Sequence, residues 1–206
     1  MREHFCVKRS AARATNCQSF TFPRGNPGET SFDTGRLGEP AALGQNNSME
    51  PRIDYMKVLP KEALHPLYAL EFYLKKCGLE KSLLELVKMR ASQINGCAFC
   101  IDMHWKDARA EGETEQRLYG LSAWREAPYY TERERAALEW TEAITLVSKD
   151  QVPDEVYELV KKQFSEAEIA NLTMAVVAIN GWNRIAISFR VVPGTYERQA
   201  KAPAAP

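Results

Sequence analysis

The 206-residue sequence has few histidines and cysteines, and it has no excess of either charge. Its 27 Lys and Arg residues are balanced by 27 Asp and Glu residues. A balanced charge gives no electrostatic reason to expect nucleic acid or a membrane as a partner. The five cysteines are an odd number, and Cys6 and Cys17 lie near the N-terminus. This usage argues against a disulfide-stapled secreted scaffold and indicates a reducing compartment, which we expect to be the cytoplasm.

The sequence also lacks the alternation of apolar and polar residues that is typical of half-buried strands. From residue 60 onward, apolar residues recur three and four positions apart, which predicts helices. Asn171, Asn180 and Arg184 interrupt the most apolar stretch, residues 169–189, within the ~20 residues that a membrane span needs. We therefore predict an all-α, oligomeric protein of about six to eight helices, with this stretch buried in the core or in a subunit interface.

Composition divides the chain into an extension, a domain and a tail. Residues 1–48 are rich in Gly, Pro, Ser, Thr and Asn and have no sustained apolar period. Such a segment buries too little apolar surface to offset its chain entropy. We predict that it is a disordered extension, with Met49 as the functional start favoured over a transit peptide. The folded domain then spans residues 49–192, and residues 193–206 form a C-terminal tail.

Local signals mark several helix ends. Gly96 is predicted to end a helix that begins near residue 80, because glycine readily adopts the left-handed conformation of a helix C-cap. Thr131 with Glu134, and Ser165 with Glu168, have the spacing of capping boxes. Each pair predicts a helix that begins at its Ser or Thr.

The stretch INGCAFCIDMHWKDA, residues 94–108, holds the residues with the clearest chemistry. In a helix of ~3.6 residues per turn, Cys97 and Cys100 lie on one face, and His104 follows one turn beyond Cys100. About 10.5 Å of helical rise separates His104 from Cys97, so the imidazole reaches the second sulfur but hardly the first. The helix start favours a thiolate on Cys97, and the histidine favours one on Cys100.

Glu85 is the next candidate for the site. It stands between Leu84 and Leu86, in an apolar context where a solvated carboxylate is unusual. If the chain reverses at Gly96, the two helices pair antiparallel and Glu85 lies roughly level with His104. A carboxylate beside the imidazole would fix its tautomer and raise its basicity, as in a chain of nucleophile, base and orienting group.

A zinc site is the main competing interpretation of the cysteine pair. Structural zinc takes four ligands, but the other histidines, His4 and His65, lie elsewhere and there is no second CxxC. We therefore expect neither a metal nor a cofactor. His104 alone would more often be a satisfied interior histidine, and Glu85 alone a surface charge, so their joint spacing carries the functional interpretation.

The spacing of these residues resembles that of the alkylhydroperoxidase AhpD-like branch of the carboxymuconolactone decarboxylase family. The pattern is Glu85, then eleven residues, then Cys97-Ala-Phe-Cys100, then three residues and His104. The resemblance covers residues 49–192. It implies a helical fold, assembly into trimers or hexamers, and a cysteine pair that reduces hydroperoxides. It further implies that Cys100 is the peroxidatic thiol, Cys97 the resolving thiol, and Glu85 with His104 the proton relay. A lipoyl or thioredoxin-like dithiol protein would then restore the pair.

Phe99 departs from the pattern of some family members, which carry a second histidine directly before the second cysteine. The relay then lacks one participant, which bears on the rate of peroxide reduction and on the natural substrate.

Two other interpretations stay open. A non-enzymatic dithiol sensor or a disulfide oxidoreductase would use the same pair. A carboxymuconolactone decarboxylase would share the fold but typically lacks the cysteines.

Overall fold

The computed structural model describes residues 49–198, and the regular structure within them is entirely helical. The predicted disorder of residues 1–48 and the end of the predicted tail, 199–206, lie outside the described residues. The α-helices are α1 (Tyr55–Val58), α2 (Lys61–Leu74), α3 (Lys81–Asn95), α4 (Ala98–Ala110), α5 (Glu115–Tyr119), α6 (Glu132–Thr145), α7 (Val147–Asp150), α8 (Asp154–Lys161) and α9 (Glu166–Phe189), with a 3₁₀ helix, Gly120–Ala123, after α5.

The prediction of an all-α fold is confirmed, and the described helices outnumber the expected six to eight. The difference comes from short elements. The helices α1 and α7 have four residues each, about one turn. One turn is too short to show a helical period in the sequence, because the period is 3.6 residues.

Helix α3 is the centre of the domain and packs against α4, α6 and α9. It is buried on several sides, as expected of a helix with several neighbours. Leu86 and Val87 have no exposed surface, and burial of each such side chain stabilises the fold by about 2 kcal/mol. Leu86 packs towards the 3₁₀ helix and α6, while Val87 packs towards α6, α8 and α9. Side chains on α3 are therefore fixed by contacts in several directions.

The turn at Gly96 connects α3 to α4. Gly96 has φ 72° and ψ 31°, the left-handed conformation that glycine adopts without a steric penalty. The N–H of Cys97 donates to the carbonyl of Ser92 at 2.9 Å, which satisfies one of the last carbonyls of α3. The chain thus reverses at Gly96, and α4 packs back against α3.

Helix α9 is a single helix of 24 residues that begins with the predicted capping box of Ser165 and Glu168. Two asparagines within its apolar sequence, Asn180 and Asn183, dock it onto α3. Asn183 is fully buried, accepts a hydrogen bond from Asn95 at 2.8 Å and donates one to Ser92 at 3.0 Å. Within residues 49–198, no helix combines the length and the hydrophobicity that a membrane span requires.

Candidate active site

Cys97 and Cys100 form a disulfide at the N-terminal end of α4, with their Cα atoms 5.4 Å apart. Cys97 is the N-cap of the helix, and its Sγ accepts a hydrogen bond from the N–H of Cys100 at 3.4 Å. Both residues are almost fully buried, with 1% and 2% of their surface exposed. A thiolate at either sulfur would be stabilised by the positive end of the helix dipole.

His104 and Glu85 meet between α4 and α3, as the predicted antiparallel arrangement requires. The Nδ1 atom of His104 lies 2.8 Å from Oε2 of Glu85, and the imidazole is buried. When the carboxylate is ionised, Nδ1 carries the proton and donates it in this hydrogen bond. In the neutral ring, the other nitrogen, Nε2, is then the atom that can accept a proton.

The ionisation state of Glu85 decides how well it orients the histidine. Burial raises the pKa of this carboxyl group, but the hydrogen bond from His104 and the positive charge of Lys88 lower it more, so the pKa lies below its usual value. Glu85 is therefore a carboxylate at neutral pH. It can hold the imidazole in one tautomer and stabilise the imidazolium that forms when the histidine takes a proton.

A cavity of about 360 Å³ connects these groups. Cys100, His104 and Glu85 all line it, whereas Cys97 is not among its lining residues. The structure thus brings three of the four predicted site residues to one cavity and holds the fourth, Cys97, in disulfide contact with Cys100. The apolar part of the wall is formed by Tyr55, Tyr68, Phe99, Met103, Trp182 and Ala186.

The sequence interpretation missed several polar residues of the same wall. Lys88 is buried, and its Nζ lies 2.7 Å from Oε2 of Glu71 on α2. Asp107 lies three residues after His104, so helical spacing alone places it near the histidine on α4. Tyr196, from the segment predicted as a tail, also lines the cavity. No local sequence signal marks this tyrosine, because its position depends on the course of the chain after α9.

Glu85, His104 and Asp107 are also the described residues that come nearest to a metal-binding arrangement. Each offers one ligand atom, and the three atoms lie within 4.8 Å of one another. Each side chain also has a hydrogen-bonding partner, since His104 contacts Glu85 and Asp107 accepts from Tyr196. A network of this kind suits the transfer of protons between the cavity and the half-buried carboxylates of Glu85 and Asp107.

Two sequence comparisons identify the family. The model of the carboxymuconolactone decarboxylase family matches residues 61–143. The uncharacterized protein YdfG of Bacillus subtilis is 45% identical over 140 residues, which are 68% of this chain and 95% of that protein. The chain belongs to the carboxymuconolactone decarboxylase family.

Solved structures place the chain near AhpD-like members of the family. A protein of unknown function from Agrobacterium tumefaciens, described as a candidate antioxidant defence protein AhpD, is 46% identical with a TM-score of 0.69. The match covers 71% of this chain and 100% of that one. An uncharacterized peroxidase-related protein from a Silicibacter species shares the fold at 22% identity, with a TM-score of 0.61 and coverage of 72% and 79%. The AhpD-like resemblance inferred from the sequence is thereby confirmed.

Proposed function

We propose that the protein is a thiol-dependent hydroperoxide reductase that uses Cys97 and Cys100 as its redox pair. One observation carries this proposal: Cys100 lines the same cavity as the hydrogen-bonded pair of His104 and Glu85. A thiol, a base and a group that orients the base are the parts that an activated nucleophile needs. The similarity to a candidate antioxidant defence protein AhpD supports the same reaction class.

In the first step, His104 takes the proton of reduced Cys100. A thiol with the usual pKa of ~8.5 is only about 3% thiolate at pH 7, so a neighbouring base matters. The thiolate attacks one peroxide oxygen, the O–O bond breaks, and Cys100 becomes a sulfenic acid while an alcohol leaves. The sulfur supplies the two electrons that reduce the peroxide.

In the second step, Cys97 resolves the sulfenic acid. Its sulfur attacks the sulfur of Cys100, the S–O bond breaks, and water leaves as the disulfide forms. This step forms the same bond between Cys97 and Cys100 that lies at the start of α4. An external dithiol then returns the pair to the reduced state by thiol–disulfide exchange, for which we propose a lipoyl or thioredoxin-like protein.

The test is a steady-state assay of alkyl hydroperoxide consumption with several dithiols as electron donors. We expect turnover that depends on both the peroxide and the dithiol, and that is lost in Cys100→Ser. If the protein instead oxidises the thiols of substrate proteins rapidly and does not turn over peroxide, it is a disulfide oxidoreductase. If its own cysteine pair becomes oxidised and neither substrate is turned over, it is a sensor. Consumption of carboxymuconolactone would identify a decarboxylase.

We also propose a homo-oligomer in the cytoplasm. The cytoplasmic location is supported by cysteine usage, because five cysteines cannot all pair within one chain. The oligomer is supported by large apolar side chains that lie exposed on α2 and α9, among them Phe72 and Val177.

A further inference from the structure

The segment of residues 191–198, which follows α9, packs against the outer face of α4. The N–H of Gly194 donates to Oδ2 of Asp102 at 3.2 Å, and Nζ of Lys106 donates to the carbonyl of Tyr196 at 3.0 Å. Lys106 also pairs with Asp102 at 2.8 Å. These contacts fix the backbone of the segment at Gly194 and at Tyr196 itself, and the Tyr196 side chain reaches the cavity.

Tyr196 is connected to the proton-transfer groups as well as to the cavity. Its ring lines the cavity together with Cys100 and His104. Its hydroxyl donates to Oδ1 of Asp107 at 2.9 Å. A carboxylate oxygen of Asp107 lies within 4.8 Å of ligand atoms of both His104 and Glu85. The phenol is therefore hydrogen-bonded directly to Asp107, whose carboxylate lies next to the pair formed by His104 and Glu85.

We propose that Tyr196 is a further catalytic residue of peroxide reduction: its O–H turns from Asp107 to the oxygen that leaves when Cys100 attacks, and donates the phenolic proton to it. Asp107 holds the phenol in position. This inference rests on the proposed function, because it concerns the same reaction at the same cavity. It also supplies a proton donor to a cavity in which Phe99, next to Cys100, carries none.

The step balances in atoms and charge. The Cys100 thiol gives its proton to His104, the S–O bond forms, the O–O bond breaks, and the leaving alkoxide takes the proton of Tyr196. The imidazolium of His104 then returns a proton to the phenolate by way of Asp107. The sum is one thiol and one hydroperoxide converted to one sulfenic acid and one alcohol.

The acidity of Tyr196 fits this task. Burial, reinforced by the hydrogen bond to Asp107, raises its pKa to about 12. The phenol is therefore fully protonated at neutral pH and ready to donate. It is still a stronger acid than water or a simple alcohol, whose O–H groups lose a proton less readily than a phenol does.

The test compares two oxidants that differ in the basicity of the leaving group. In single-turnover oxidation of the reduced protein, we expect Tyr196→Phe to slow reaction with tert-butyl hydroperoxide by about 10-fold or more. We expect the rate with peroxyacetic acid to stay near that of the wild type, because its leaving carboxylate, with a pKa of about 4, needs no proton. The pH profile of Cys100 alkylation should be unchanged, because alkylation expels no oxygen.

Tyr73→Phe is the matched control. The Tyr73 hydroxyl also donates to a side chain of another helix, Oδ1 of Asn171 at 2.7 Å, but Tyr73 does not line the cavity. This variant should react like the wild type with both oxidants. If Tyr196→Phe slows the reaction equally with both oxidants, or slows it with neither, the inference about Tyr196 is wrong, but the proposed function is not contradicted. A wild-type protein that is oxidised by neither would overturn the proposed function as well.

Discussion

At the scale of single residues, the two cysteines of the pair have different surroundings. Cys100 lines the cavity with His104, whereas Cys97 caps the helix outside the cavity lining. We predict that Cys100→Ser abolishes reaction with peroxide, and that Cys97→Ser still allows one oxidation and accumulates a sulfenic acid on Cys100. Trapping with a sulfenic-acid reagent, read by mass spectrometry at each cysteine, checks both variants. A trapped adduct on Cys97 in the Cys100→Ser variant would reverse the assignment.

His104 and Glu85 should set the acidity of Cys100. A helix dipole is worth up to ~2 kcal/mol even in a partly buried geometry, whereas a hydrogen-bonded base removes the proton outright and contributes about 100-fold or more to rate. We predict that His104→Ala and Glu85→Gln raise the pKa of Cys100 toward the ~8.5 of a free thiol. Alkylation of each cysteine as a function of pH measures this. If Cys97 has the lower pKa, and His104→Ala leaves the pH dependence of alkylation unchanged at both cysteines, the pair works as a thioredoxin-like dithiol.

The residues of the site divide by how far apart they lie in the sequence. Cys97, Cys100 and His104 belong to one helix, so their relation follows from helical spacing. To predict that Glu85 lies near His104, one more assumption is needed, namely that the chain reverses at Gly96. A glycine at this position strongly indicates such a reversal. Tyr196 and the pairing of Lys88 with Glu71 depend on the packing of distant segments. No periodicity or cap in the sequence encodes such contacts, and they could not be predicted from it.

At the scale of helices, the start of α9 has a strongly stabilised carboxylate. Glu168 accepts a hydrogen bond from the backbone N–H of Ser165 at 2.8 Å and pairs with Arg133 at 2.6 Å. The hydrogen bond from Ser165 and the Arg133 guanidinium lower the pKa of Glu168 from 4.5 to about 2. Because the folded-state pKa is the lower one, this stabilisation is complete above pH ~4.5 and is lost as the pH falls toward 2.

We therefore predict that Glu168→Gln lowers the free energy of unfolding at pH 7 by up to about 1 kcal/mol, a modest value because the side chain is 33% exposed and solvent screens the charge. The difference from the wild type should shrink as the pH falls below about 4.5. Chemical denaturation at several pH values measures this. Glu166→Gln is the control, since Glu166 lies in the same first turn without taking part in the capping box. An equal loss in both variants would assign the effect to the helix dipole.

The helices with clear local signals were predicted well. Both capping boxes form as the sequence indicated, at Thr131 and at Ser165. The long apolar helix α9 is present, but its docking through Asn183 to Ser92 and Asn95 was not predictable. An asparagine in an apolar run indicates that a polar partner exists, but the sequence does not say which helix supplies it.

At the scale of the whole molecule, large apolar side chains lie exposed on α2 and α9, namely Tyr68, Phe72, Tyr73, Met174, Val177 and Ile187. Extended apolar surface of this kind marks interaction sites. We predict a homo-oligomer, a trimer or a hexamer, that buries part of it. Light scattering at micromolar concentration should give a mass of at least three chains, and Val177→Glu should lower that mass. A wild-type mass of one chain would contradict the prediction.

The N-terminal boundary gives a second prediction at this scale. The N–H of Arg52 donates to the carbonyl of Phe189 at 2.9 Å, and the ring of Tyr55 stacks on Phe189 at 5.5 Å. A protein that begins at Met49 keeps these contacts, so we expect it to retain both fold and activity. One that begins at Pro60 loses them and should be less stable. Denaturation midpoints and peroxide turnover test both, and a loss in the Met49 protein would show that the preceding residues belong to the domain.

The burial of the two sulfurs limits which electron donors can reach them. Cys97 and Cys100 are 1% and 2% exposed, and the cavity that opens onto Cys100 is walled by aromatic side chains such as Phe99 and Trp182. A redox protein whose thiol lies on a rigid, flat surface contacts the cavity wall before its sulfur reaches the disulfide. A dithiol at the end of a long, thin arm can enter the cavity without this steric clash. We therefore expect reach, in addition to reduction potential, to select the donor, and we predict faster reduction by a lipoyl group than by a thioredoxin-like surface.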